Sequence, residues 1–571
     1  MKKKLLAMFV AGAMILLAAC SPAATPTDTT GDTATTDAAT DDAADDAADD
    51  SAEAPPEREG LLDVTFVANV DQSIIDNVFG HIEDETWEDN RWTRRIAEDL
   101  GINVVYLWVA NDQESFDLRL NMALASGDIP DILHLSNVQL AQAVAANLAA
   151  DLGPLIDQHA SPLLHRFIEE TGPEAISATT FDGVQRGIGI GESIMETAPI
   201  MFIREDWRQQ TGLPVPTTFD ELFDLIEAFM EIAGDGAVGL AINNEVFGPH
   251  LGLNALLSAH GAYYNMWIER DGGLVYSSIQ PEFKEALAMA NMMFERGYFD
   301  IEFTVKDTGM VNEAIVGSLN GIYFGAAWTP LWPQPDSLAN DPDANWYPHP
   351  VPTLDGSPPV VGVRSALDRF YIANSSFDHP EVLIQMINHY IKLAFDPVYN
   401  EYVPFMADPP AEGVFKMNPV HNAMESNKNP VTANSIAPHI ISGDPTGLFG
   451  EQLTMWEFVM AGFDPENRLD MWGWNRIFGS GPDFTFPTGG SHLINYNALA
   501  EGRYVVNQFV GAPTPTMETH HTILYSALLE EFTKIVTGEE PLDHFYTAVE
   551  SWLNSGGQAI TDEVNEWWHG R

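Results

Sequence analysis

The sequence predicts an α/β fold, and three observations carry that prediction. From Leu61 onward, apolar runs of strand length alternate with stretches whose apolar residues recur at helical spacing. Glycines and capping residues mark the helix ends. The body after that point, roughly 510 residues in a chain that is 45% hydrophobic and 10% aromatic, is large enough for two or more domains.

Leu61 to Val70 reads as a first strand. Arg91 to Leu100 reads as a helix stopped by Gly101, and Ile102 to Val109 as a buried strand. Ser115 to Ser126 places Phe116, Leu120, Ala123 and Leu124 at helical spacing, and Gly127 ends it before a short strand at Asp131 to Leu135. This β-α-β order implies a parallel sheet. A second series opens with a strand at Pro199 to Arg204 and a short helix ending near Gly212. Thr218 and Glu221 form a capping box for a helix that places Leu222, Leu225, Ile226 and Phe229 on one face. A strand at Val238 to Ile242, helices at Glu282 to Arg296 and Thr308 to Ser318, and a strand at Gly321 to Phe324 continue the alternation. Between Thr329 and Pro359 proline is dense, which forbids a long helix or a central strand. Helices return at Pro380 to Leu393, Ile523 to Thr537, Leu542 to Leu553 and near Glu563 to Trp568. No internal repeat of solenoid length is visible.

The start of the chain has the parts of a secretory signal over residues 1–20: Lys2-Lys3-Lys4, an apolar run from Leu5 to Ala18, and small residues before Cys20, the single cysteine. An ordinary signal with an incidental cysteine is the alternative to a lipid-attachment site. Residues 21–60 carry no large apolar side chain, and twelve carboxylates there face only Arg58, so the segment cannot offset its ordering entropy and reads as an extended tether. After it, 71 acidic residues stand against 22 basic ones, which excludes nucleic acid as a partner and leans toward neutral or cationic ligands. A local arginine pocket would override that field. With one cysteine, an intramolecular disulfide and a thiolate zinc site are excluded.

Four stretches resemble the extracellular solute-binding lipoproteins of carbohydrate ABC importers, a family related in fold to maltose-binding protein, and most of all its long Gram-positive members. They are Asn90-Arg-Trp-Thr-Arg-Arg-Ile-Ala-Glu-Asp-Leu-Gly-Ile with the turn Ala125-Ser-Gly-Asp-Ile-Pro-Asp-Ile; Phe202-Ile-Arg-Glu-Asp-Trp-Arg with Gly212-Leu-Pro and the Pro-Thr-Thr-Phe-Asp-Glu helix start; Ser318-Leu-Asn-Gly-Ile-Tyr-Phe-Gly-Ala-Ala-Trp328; and Glu531-Phe-Thr-Lys-Ile-Val-Thr-Gly with Ser555-Gly-Gly-Gln-Ala-Ile-Thr-Asp-Glu-Val-Asn-Glu-Trp567. The end of the signal is similar to a lipobox, in which the thiol of Cys20 takes a diacylglycerol. The resemblance implies a two-lobed, periplasmic-binding-protein-like (type II) clamshell with discontinuous lobes and a hinge. One lobe takes 61–198 plus about 362–440, the other 199–361 plus about 441–571. It also implies a monomer anchored at the extracytoplasmic face of the cell membrane that delivers an oligosaccharide to ABC permease subunits. A peptide receptor or a ligand sensor would use the same fold.

Sugars offer C–H faces and hydroxyls, so their sites need flat rings and planar hydrogen-bonding groups. Trp328 ends a strand in the family's aromatic-presenting element, and Trp332 follows in the proline-rich loop. Trp472 and Trp474 lie beside Asn475 and Arg476 in a glycine-containing segment. Trp108 and Asp112 lie at a strand end, where parallel sheets bind ligands, and Asp128 lies in the turn before the next strand. Each tryptophan fits core packing as well, and Asp128 or Asp131 fits a backbone cap. An EF-hand-like start at Asp341 fails because Trp346 and Pro352 replace the glycine and the closing glutamate, so no metal and no cofactor is expected. Hydrolase and nucleotide signatures (HExxH, GxSxG, GxxxxGK[ST]) are absent and the histidines show no ligand spacing, which disfavours an enzyme such as a secreted glycoside hydrolase.

Overall fold

Asn90 begins the first α-helix among the described residues: its side chain accepts the backbone N–H of Trp92 and Thr93, and Thr93 answers the Asn90 N–H, closing a capping box over Arg91–Leu100. Gly101 ends that helix at φ 68°, a conformation that costs glycine little. The chain then enters the strand Ile102–Ala110, which pairs in parallel with Leu62–Asn69. The computed structural model describes residues 60–570 apart from 71–73, 83, 191–193, 364–366, 368, 397–401, 407–412, 480–488 and 512. Cys20, the expected signal and nearly all of the expected tether lie outside the described residues.

The helices Gln113–Ser126, Phe219–Ala233, Pro281–Glu295, Thr308–Val316 and Val382–Phe395 form where periodicity places them. Pro515–Thr537 and Gln558–Gly570 run longer than expected, the former because Thr514 caps its start with Pro515 in the first turn.

The sheet departs from the expectation of parallel pairing. Among the described ladders only Leu62–Asn69 with Ile102–Ala110, and Val361–Val363 with Tyr504–Val506, are parallel. Ile132–Ser136 pairs antiparallel with Arg369–Ala373, and Ile200–Arg204 pairs antiparallel with both Ile322–Gly325 and Trp346–His349. Val238 to Ile242 makes only isolated bridges to Asn320 and Tyr323. The Leu240 N–H is diverted to the Tyr298 carbonyl, and a side chain at Gly239 would meet Ile226 at 2.7 Å. In the proline-rich stretch, Trp346–His349 tolerates Pro348 because it is an edge strand.

Buried apolar residues gather around two large centres. The first is built from residues between Val64 and Ile190 and again between Tyr371 and Phe478. The second uses Met195 to Val363 and Ala498 to Val564. The chain thus passes between them near 190–195, 363–371 and 478–498. Met455, Val459, Ile477 and Phe478 lie in the first centre, which corrects the expectation that everything after about 441 joins the second. The cause is the helix Gly450–Ala461, which packs on Lys428–Ser442 and Val382–Phe395. No helix among the described residues is long and apolar enough to cross a membrane.

Candidate ligand-binding site

Two polar cavities lie along the crossing segments. The first, about 430 Å³, opens where the parallel strands end, at Val67 to Asn69 and Tyr106, and beneath the start of the following helix at Gln113 and Phe116. His134 and Tyr371, opposite one another in the antiparallel pair, stack at 4.2 Å in its wall. The segment Lys416 to Asn422 closes it. The Asn422 backbone N–H donates to Tyr371 Oη at 3.1 Å, and the Asn422 amide donates to His134 Nδ1 at 3.1 Å. That bond requires an unprotonated Nδ1, in keeping with burial and the nearby Arg369, which hold the imidazole well below its ordinary pKa. Burial likewise lowers His421 to about 4.

Several polar atoms here lack partners. Asn418 is fully buried; its Oδ1 accepts the Val420 N–H at 2.9 Å, leaving Nδ2 without a hydrogen bond among the described residues. Asn69 donates to Gln113 Oε1 at 3.2 Å while its own Oδ1 has no partner among the described residues. Buried amide atoms without partners cost about 1–3 kcal/mol each, so their clustering on one cavity is what a site awaiting a polar ligand looks like.

The second cavity, about 860 Å³, is lined by Phe247, Tyr263, Tyr264, Phe509 and Tyr525 together with Asn137, Asn254, Asn265 and Asn507. The Asn507 carbonyl accepts the Trp267 N–H at 2.8 Å and Asn265 accepts the Tyr276 hydroxyl at 2.9 Å, which fixes both amides. Tyr264 packs against Phe247 and Tyr525 at 4.9 and 5.4 Å. Tyr263 lies on Gly362, where an added Cβ would stand 2.4 Å from its ring. The two cavities adjoin: His134 lines the first and Asn137 the second, and Arg369 lines the first while Leu367 lines the second. Three residues of extended chain span about 10 Å. Rings and planar amides in this number suit stacking on C–H faces and hydrogen bonding to hydroxyls, and the volumes are usual for small-molecule sites.

The tryptophans expected at the site separate into two groups. Trp328 and Trp332 remain 42% and 44% exposed and flank His250 at 5.5 and 6.4 Å. Pro249, beside that histidine, lines the larger cavity. Trp472 is instead 1% exposed in the core, where its Nε1 donates to Gln334 at 2.9 Å. Trp474 packs on Phe458 and Phe478. Asn475 bonds the Val459 carbonyl, and buried Arg476 bonds the Trp346 carbonyl and Asn345. These four are packing residues: Trp472 lies in a buried cluster with Tyr323 and Trp346, Ile477 and Phe478 of the same helix lie in the first core, and none of the four lines either cavity. Trp108 packs on Phe116 with Arg119 over its ring. Asp112 caps the helix Gln113–Ser126 through the Ser115 N–H, and Asp128 stands exposed in its turn. Asp131 accepts the Thr65 N–H and hydroxyl, a structural role. Asn69, His134, Arg369, Tyr371, Lys416 and Asn418 went unnoticed in the sequence, although the strand-end argument applied to Trp108 reaches Asn69 equally well.

No family model matches the chain. It is similar to the polygalacturonan/rhamnogalacturonan-binding protein YtcQ of Bacillus subtilis strain 168, 25% identical over 218 residues, 36% of this chain and 41% of that protein. It is similar to the fructooligosaccharide ABC transporter substrate-binding protein FusA of Streptococcus pneumoniae serotype 4, 25% identical over 248 residues, 40% of this chain and 45% of FusA. The matched stretch is thus less than half of either relative's length. Among solved structures, the alginate-binding protein AlgQ2 superposes with a TM-score of 0.57 at 17% identity, covering 90% of this chain and 99% of that one. The chain thus has the two-lobed α/β fold of AlgQ2, and over about two-fifths of its length its sequence is similar to YtcQ and FusA.

Proposed function

We propose that this chain captures an oligosaccharide between its two cores and delivers it to the permease of an ABC transporter. The carrying observation is the pair of adjoining cavities on the crossing segments, walled by aromatic rings and by buried amides whose hydrogen bonds are incomplete. The similarity to YtcQ and FusA, named as saccharide-binding proteins, supports the same reading. One lobe comprises 61–190 with the return through 478, the other about 195–363 with the C-terminal helices, and ligand binding closes them about the three crossings. Trp328 and Trp332 supply stacking faces at the rim. The role is binding without turnover. Lipid on Cys20 holds the protein at the membrane.

Thermal-shift screening against oligosaccharides and peptides tests this, since a ligand stabilises by RT ln(1 + [L]/Kd). A glycan should raise Tm without being hydrolysed, and Trp328→Ala should weaken it about tenfold. Hydrolysis of the glycan would refute the binding role, and a response to peptides alone would refute the substrate class. For the anchor, Cys20→Ala should release the protein into the medium.

A further inference from the structure

The molecule is acidic throughout, and its cations are mostly neutralised. Of the six lysines beyond the signal segment, Lys284, Lys306, Lys428 and Lys534 each hold a carboxylate. Arg91, Arg94, Arg95, Arg204, Arg208 and Arg270 do the same. The smaller cavity breaks this pattern. Arg369 and Lys416 both line it, both are half-buried, and neither forms an ion pair with a described residue. Among the described residues, none that lines it is acidic. The imidazoles facing Arg369 and Lys416, His134 and His421, are held in place by Asn422 and the Asn418 carbonyl. Fully buried Asn418 brings its unpartnered Nδ2 donor to the same wall.

A cavity whose described lining carries two cations, a spare amide donor and no carboxylate, in a chain of formal charge −57, is complementary to an anion. The guanidinium fork of an arginine matches a carboxylate in particular. The stacked His134–Tyr371 pair and the amides of Asn69 and Gln113 provide for a neighbouring ring and its hydroxyls. Resting on the oligosaccharide reading above, we propose that the ligand is an acidic saccharide and that this cavity is the subsite for a uronate carboxylate, held by Arg369 and Lys416 with Asn418 donating alongside.

The test is calorimetric titration of the full chain with trisaccharides of galacturonate, glucuronate and mannuronate, their methyl esters, and neutral trisaccharides of matched length. At least one free acid should bind ten- to a hundredfold more tightly than its ester, as charge-assisted hydrogen bonds require. Arg369→Gln and Lys416→Gln should each bring the acid toward the affinity of its ester while leaving the ester unchanged. Comparison of acid with ester needs no variant, so misfolding cannot disguise the answer. Neutral sugars or esters binding as tightly as every acid, or Arg369→Gln weakening acid and ester equally, would overturn the proposal and leave the oligosaccharide reading standing. Binding of no saccharide at all would overturn both.

Discussion

Replacing Trp472 with Phe separates packing from ligand contact at a residue whose sequence context suits either. The indole is buried to 1% and donates to Gln334 Oε1 at 2.9 Å, while Gln334, itself 0% exposed, donates to Tyr323 Oη at 2.7 Å. The guanidinium of Arg476 lies 4.0 Å from the indole centroid. Phenylalanine keeps a ring beneath Arg476 but strands the buried Gln334 oxygen, at about 1–3 kcal/mol. The lost second ring adds about 1–2 kcal/mol of missing contact, and the smaller π face weakens the cation–π contact by up to about 1 kcal/mol. A destabilisation of about 2–6 kcal/mol is expected in urea unfolding. Oligosaccharide affinity should stay within about twofold. Unchanged stability with a tenfold loss of affinity would refute the packing role and return Trp472 to the binding surface.

Gly362→Ala should act in the opposite sense. A methyl 2.4 Å from the Tyr263 ring must displace that ring into the larger cavity, so titration should show affinity falling about tenfold or more. Unchanged affinity would show that the larger cavity takes no part in binding. The pH dependence of stability follows from buried histidines: burial lowers His349 and His492 to about 3. Neutral when folded, they bind a proton on unfolding below pH 6.5, so their contribution is complete above that value and is lost as pH falls toward 3, on the order of 4 kcal/mol each. Glu196, whose pKa burial raises, opposes them with a contribution lost as pH rises past the carboxylate range. Urea midpoints should drop steadily from pH 6.5 to 4.5, and a flat profile would contradict the burial of these imidazoles.

Local signals made the elements legible. Asn90, Gly101, Thr218 and Gly127 act within a turn of themselves, so their helix ends could be read one at a time. Strand pairing was less accessible because it is settled by residues more than a hundred positions apart: His134 meets Tyr371, and Phe202 meets both Tyr323 and Pro348. The same distance hid much of the candidate site. An aromatic-rich sequence drew attention to Trp472 and Trp474, yet burial of that helix depends on where Gly450–Ala461 packs, which no local pattern announces. Lys416 and Asn418 carry no motif; they matter because Asn422 ties their loop to His134 and Tyr371.

The charge of the body gives the acidic-saccharide proposal an unusual kinetic consequence. An approaching uronate first meets the field of 71 acids and 22 bases and senses Arg369 and Lys416 only at close range. In 10 mM salt, with a Debye length of about 30 Å, repulsion from the whole molecule slows encounter; near 150 mM, at about 8 Å, only the cavity's neighbourhood acts. Stopped-flow tryptophan fluorescence should therefore show the association rate of an acidic trisaccharide rising, on the order of three- to tenfold, as salt is added over that range. Contacts inside the half-buried cavity are screened far less, so dissociation should change little and affinity should improve with salt, the reverse of ordinary charge pairing. A neutral trisaccharide should show no slope. Arg369→Gln should speed dissociation of the acid while leaving its association slope intact, because that slope belongs to the distant acidic surface and not to the pair that grips the carboxylate. An association rate that falls with salt would mean that the two cations dominate the field at long range, and the division between a repelling surface and a gripping subsite would be wrong.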